Sequence, residues 1–147
     1  MSKIPKKLSA PENRSFTFSS IVSDISVILV ILFLISGNIE YRFGEASFII
    51  KANYWEDVTI DYAEIDSVEY RETDLAGSRV IGFESFSMAM GSYENSEFGA
   101  YTRYSYNDCR SCVVIRADNR VLVINKKDDV STKVLYETLL TKLNKIH

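Results

Sequence analysis

Cys112-Val113-Val114-Ile115-Arg116-Ala117-Asp118-Asn119-Arg120-Val121-Leu122-Val123-Ile124-Asn125 is the stretch on which the reading of this chain turns. Two apolar runs, Cys112 to Arg116 and Val121 to Asn125, flank Ala117-Asp118-Asn119, and such a pattern reads as a β-hairpin. Beyond it the period changes. Val134, Leu135, Leu139, Leu143 and Ile146 fall on one stripe at helical spacing, with Asp129 or Ser131 available as N-cap, which predicts a helix over 130–146.

Outward from this hairpin, towards the N-terminus, short strand-like runs recur about every ten residues. Ile39, Tyr41 and Phe43 alternate with Glu40 and Arg42, and Ala46 to Lys51 follows. Val58, Ile60 and Tyr62 alternate with Asp57, Thr59 and Asp61, so that one face is buried and one is wet. The alternation slips between Ile65 and Val68, which predicts a bulge or a fresh strand start. Asp74-Leu75-Ala76-Gly77-Ser78 reads as a turn. Phe86, Met88 and Met90 are expected on one face; Phe98, Tyr104 and Tyr106 share another, with Tyr101 and Arg103 across from them. The sum is seven or eight short antiparallel strands and one terminal amphipathic helix, a small barrel or two packed sheets with the helix over an open end.

In their order and spacing, several of these segments resemble the bacterial pleckstrin-homology-like domains that follow N-terminal membrane helices. They are Ile60 to Val68, Gly77-Ser78-Arg79-Val80-Ile81-Gly82-Phe83, Met90-Gly91-Ser92-Tyr93, Glu97 to Thr102, Val121 to Asn125 and the closing helix. The resemblance covers roughly residues 39–146. It implies a mostly β pleckstrin-homology-like barrel, with two packed, near-orthogonal antiparallel sheets of about seven strands and a capping C-terminal helix. Function does not follow from that fold, which serves as a scaffold for many ligands. Eukaryotic pleckstrin homology domains bind phosphoinositides through Lys and Arg around the first hairpin. The corresponding stretch here, Lys51 to Asp57, offers one base and two acids, which argues against inositol-phosphate binding.

The N-terminal part divides into a disordered basic tail over 1–17 and an apolar segment over 18–37. The tail carries Lys3, Lys6, Lys7 and Arg14 against Glu12 alone, and holds both prolines, Pro5 and Pro11. The segment is apolar on every side between Val27 and Ile35, and its 20 residues would span about 30 Å as a helix. A retained transmembrane helix is the expectation; a cleaved signal peptide and a buried core element are the alternatives. The positive-inside rule then holds the N-terminus in the cytoplasm and places the domain, 38–147, outside the cell membrane.

That domain carries 13 Lys and Arg against 18 Asp and Glu, which speaks against nucleic acid as a partner. The single histidine, His147, nearly excludes a histidine metal site or triad, and no cofactor or catalytic set is expected. Cys109-Arg110-Ser111-Cys112 leads into a strand rather than a helix N-terminus, so thiols or a local disulfide are favoured over a redox site. Arg79, Tyr101 and Arg103 are candidates for a recognition patch, with ordinary outward residues as the alternative. Asp57, Asp61 and Glu64 form an acidic face, read as solvated charge rather than acid–base machinery. The expected function is a non-enzymatic, membrane-tethered interaction module with a protein partner. The alternatives are a redox-responsive envelope protein using Cys109 and Cys112, and a lipid- or small-ligand-binding barrel.

Overall fold

The computed structural model describes residues 18–145; the basic tail 1–17, Ile146 and His147 lie outside that range. The chain divides into two units between Leu32 and Phe33.

The first unit holds most of helix α1 (Phe18–Ile35). Apart from Ser23, Asp24 and Ser26, every side chain from Ile21 to Phe33 is apolar, and all of them are exposed. Ser26 turns its hydroxyl back to the Val22 carbonyl at 2.9 Å, which removes one polar group from the helix surface. The helix stops at Ile35 rather than at the expected Gly37, where Ser36 donates through both N–H and Oγ to the Phe33 carbonyl. Its 18 residues measure roughly 27 Å. Among the described residues, no helix is long and apolar enough to cross a membrane.

The second unit is a β domain. Strands β1 (Ile39–Phe43), β2 (Ser47–Ala52) and β3 (Val58–Asp61) form a three-stranded antiparallel sheet in that order. A 3-10 turn, Tyr62–Glu64, leads into a second sheet of six strands. Across it lie β4 (Ile65–Arg71), β8 (Cys112–Ala117), β9 (Arg120–Ile124), β7 (Gly99–Tyr106), β6 (Met88–Asn95) and β5 (Ser78–Glu84). The expected bulge is present as a register shift between Ile65 and Ser67. The hairpin of β8 and β9 turns through Asp118 and Asn119, both at positive φ (45° and 60°), the backbone of a type I′ turn.

Two features differ from the expected barrel. The described residues form nine strands rather than about seven, and one pair is parallel: Thr102, Arg103 and Tyr104 of β7 face Leu122, Val123 and Ile124 of β9. The cause is the β8–β9 hairpin, which inserts between β4 and β7. The strand beside β7 is therefore two reversals later in the chain and runs the same way.

Helix α2 (Asp129–Leu143) packs on β4 and β8. Its N-cap is Asp128, one residue before Asp129 and three before Ser131, the expected candidates, and the Asp128 carboxylate accepts the Ser131 N–H at 2.7 Å. Thr132, Leu135 and Leu139 are its buried stripe, while Val134, one position and about 100° away, is exposed. Phe48, Ile50 and Ile60 of the small sheet meet Met88, Met90, Tyr104, Ile115 and Ile124 of the large one beneath Leu135 and Leu139. Each such aliphatic side chain contributes roughly 1.5–3 kcal/mol when fully buried. The Tyr104 hydroxyl leaves this core by donating to the Glu56 carbonyl at 2.6 Å.

Phe86 and Phe98 depart from the alternation. Ser85 Oγ accepts from the N–H groups of Ser87 and Met88 at 3.3 and 3.2 Å, so the chain turns before β6 begins. Phe86 is left at the tip, 85 % exposed, instead of joining Met88 and Met90. Phe98 precedes β7, whose first residue, Gly99, has φ +67°, and it packs edge-on to Tyr101 rather than beside Tyr104.

Candidate interaction site

Alternation along β6–β9 gives the large sheet an outer face made of Ala89, Tyr93, Tyr101, Cys112, Val114 and Val123. An outer face should be wet, yet these residues are buried. The cover is the segment Glu72–Gly77. Because β4 and β5 lie at opposite edges of the sheet, the six residues joining them form a strap across it. Its backbone is fastened at three points. The Asp74 N–H donates to the Arg110 carbonyl at 2.8 Å, the Gly77 N–H donates to Tyr101 Oη at 2.9 Å, and Asn95 Nδ2 donates to the Leu75 carbonyl at 3.2 Å. At the strand end, Phe98 lies between the guanidinium groups of Arg71 (5.1 Å) and Arg116 (5.3 Å). Arg71 is held there by Glu97 at 2.6 Å and Glu69 at 2.9 Å.

Under the strap, Arg103 Nη2 is paired with the Asp74 carboxylate. Arg103 Nε donates to Ser105 Oγ at 2.6 Å, and its guanidinium lies 5.8 Å from the centre of the Tyr93 ring. Burial works against this charge, but the hydrogen bond and charge of Asp74 outweigh it and hold Arg103 protonated. Arg103 Nη1 and Tyr93 Oη are buried without a protein partner. Burial, assisted by the charge of Glu84, pushes the Tyr93 phenol up.

The structure therefore separates the expected recognition patch. Tyr101 and Arg103, 3 % and 7 % exposed, are internal parts of the strap's mooring. Arg79 is exposed on β5, where it pairs with Glu84 at 3.5 Å. The two cysteines make different contacts. Cys112 lies on the outer face, its thiol pushed up to about 12 by burial, with the charge of Asp74 adding to the shift. Cys109 Sγ donates to Asp129 Oδ1 at 3.3 Å and touches Thr132 Oγ1 at the start of α2. Both thiols are free and buried. The acidic face is divided among local partners: Asp57 accepts the Ala52 N–H and pairs with Lys51 at 3.8 Å, and Glu64 pairs with Arg120 at 3.3 Å. Among the described residues, no group of three His, Cys, Asp or Glu side chains is placed to hold a metal ion.

Outside α1, the exposed large apolar side chains among the described residues are Val130 (76 %) and Val134 (56 %) on α2 and a run of Leu75 (54 %), Val80 (60 %), Ile81 (63 %) and Phe86. Three of these lie on the strap and on β5. That strand pairs with β6 on one side and leaves its other side open. It is drawn tightly onto β6 at Gly82 and Gly91, where a Cβ on either residue would stand 2.6–2.7 Å from the other's Cα. The remaining sheet edges are polar, with Glu40 and Arg42 on β1, Thr59 and Asp61 on β3, and Asp66 and Glu69 on β4. Charged edges resist strand addition; β5 also carries Arg79 and Glu84, but between them Val80 and Ile81 leave an exposed apolar stretch that invites it. Adjacent Val80 and Ile81 were the available signal in the sequence, since a register shift between Arg79 and Ile81 lets both be exposed.

A family model described as "Bacterial PH domain" matches residues 39–131. The chain belongs to the bacterial PH domain family. No curated protein and no solved structure matches it. PH-like domains are in general binding modules rather than enzymes, and the mostly β domain with its C-terminal helix agrees with that fold. In this bacterial PH domain, side chains fill the space between sheets and helix. A cleft of about 240 Å³ between Asn38, Tyr106, Lys127 and Ser131 is below the roughly 300–1,000 Å³ of ordinary ligand pockets.

Proposed function

We propose that this bacterial PH domain is a membrane-tethered interaction module that takes a protein partner as an added strand along β5. The observation carrying the reading is the open β5 edge, where Val80 and Ile81 are exposed side by side and the flanking charges, Arg79 and Glu84, pair with each other. Added strands gain affinity from main-chain hydrogen bonds and specificity from alternate side chains, and an edge of this kind supplies both. The tether is supported by the apolar surface of α1, which is exposed from Ile21 to Phe33 with no continuous polar face. A stretch slightly short of the bilayer core is accommodated by local thinning or by flanking residues. The basic residues of 1–17 favour a cytoplasmic N-terminus and a domain on the other side.

Photo-crosslinking in native membranes tests the strand-addition reading. A photoreactive residue at Val80 should give one discrete adduct; the same residue at Glu137, exposed on α2, should give none. Adding Ile81→Lys should abolish the adduct by placing a charge on the edge. Equal adducts at the two positions, or an adduct insensitive to Ile81→Lys, would overturn it.

A further inference from the structure

We propose that Phe86, at the tip of the hairpin formed by β5 and β6, inserts into the headgroup layer of the membrane that holds α1; this rests on the tether proposed above. Phe86 is the most exposed of the large apolar side chains of the domain described here, and its own turn leaves it no packing partner. Its position gives that exposure meaning. The folded unit begins at Phe33, and the chain joins it beside this hairpin. Ile35 and Gly37 line a small cleft with Ser87, the neighbour of Phe86, and Lys127. Gly37 passes so close to β6 that a Cβ there would fall 1.8 Å from Met88 Cε.

Aromatic rings surround the same junction. Tyr54, from the turn between β2 and β3, lies 4.5 Å from the Phe33 ring and 4.7 Å from the Phe83 ring. The Tyr54 hydroxyl donates to the Phe33 carbonyl at 3.3 Å and contacts Ser36 Oγ at 2.9 Å. Phe33, Tyr54 and Phe83 thus cluster where the chain enters the folded unit, and Phe86 is next to Ser87 of the same cleft; aromatic side chains at such a position match the belts that occur at a bilayer surface. The charges nearby are mixed, Lys126 and Lys127 with Asp108 and Asp128, so the apolar side chain rather than charge attraction carries the contact. Whichever direction α1 takes beyond Phe33, the covalent link keeps this tip near the bilayer.

The test uses the full chain reconstituted into vesicles of phosphatidylcholine and phosphatidylglycerol. Trp55, the single tryptophan, is replaced by Phe, and Phe86→Trp or Ser96→Trp supplies the probe. Ser96 is exposed beyond the opposite end of β6. In vesicles containing brominated lipid, the probe at 86 should be quenched about twofold and blue-shifted, as expected roughly 5–10 Å into the headgroup and acyl boundary; the probe at 96 should be unaffected. Vesicle flotation with neither probe quenched would leave the tether standing and overturn insertion of Phe86. A blue shift at 86 that grows with protein density and ignores bromination would overturn it in favour of a second copy. Failure of the chain to float with vesicles would overturn the tether itself.

Discussion

Arg103 lies on the side of β7 that alternation assigns to it, away from Tyr104 and Tyr106, and is nevertheless buried. The alternation identified the face correctly; what lies over that face depends on where β4 and β5 end up, which no local pattern encodes. Asp74 was legible only as part of a turn, because its partner is 29 residues away. Breaking a buried pair leaves one desolvated charge behind, which typically costs about 3–5 kcal/mol, whereas removing both charges while keeping volume is often close to neutral. Arg103→Ala should therefore lower stability to urea by about that amount, and Asp74→Asn combined with Arg103→Met should recover most of it. Equal losses in the single and double variants, despite the volume that Met restores, would show that a stranded Asp74 charge is not what Arg103→Ala costs. Cys112, on the same face, is raised by the same burial, and a thiol with a pKa of about 12 is a poor nucleophile at neutral pH. Cys109, three residues earlier, instead meets the start of α2, where its thiol donates to Asp129.

The hairpin of β8 and β9 and helix α2 were the most legible elements, and for local reasons. Apolar runs around Asp118-Asn119 specify a turn with two positive φ values, and a 3.6 period specifies a helix. The end of α2 shows the limit of such reading. Asp128, Asp129 and Ser131 are all good caps by residue type, and three-dimensional contacts choose among them. Asp128 accepts from Ser131, while Asp129 reaches across to the Ser111 N–H at 2.9 Å. These hydrogen bonds hold both carboxyls below the ordinary aspartate range. A depressed folded-state pKa contributes stability that is complete above the unfolded value near 3.9 and is lost as pH falls through the folded one. Urea midpoints of the wild type should therefore decline as pH is lowered below about 4, and Asp128→Asn with Asp129→Asn should flatten part of that decline. An unchanged acid slope would place the acid sensitivity elsewhere. At the β5–β6 turn, Ser85-Phe86-Ser87 continues an alternation that the backbone has already abandoned, so the sequence pattern misplaced Phe86.

At the scale of the molecule, the fold class, the C-terminal helix and the family were readable from element order, because order survives even where register does not. The parallel pair and the strap were not, since both arise from strands that are distant in sequence becoming neighbours or being parted. In the tether proposed above, the side of the membrane that the domain would take is a property of the whole chain, and the burial of both cysteines decides how it is measured. Native thiols would report burial rather than topology. Thr59→Cys places an accessible thiol on β3, and an impermeant maleimide should label it in intact cells. Labelling confined to lysed cells would put the domain in the cytoplasm and reverse the orientation proposed from the basic tail.

The insertion of the β8–β9 hairpin between β4 and β7 has a consequence for how the protein is made. Ribosomes deliver the chain from its N-terminus, so β4 and β7 both emerge with open edges before the strands that will join them exist. Until residues 112–124 are released, the nascent sheet is two halves, and neither Leu135 nor Leu139 is there to cover the core. Pairings that span so much sequence form slowly, and unpaired edges waiting for them are sites of mispairing between chains. A ribosome that stops even a dozen codons after β7 would leave a product that cannot close its sheet.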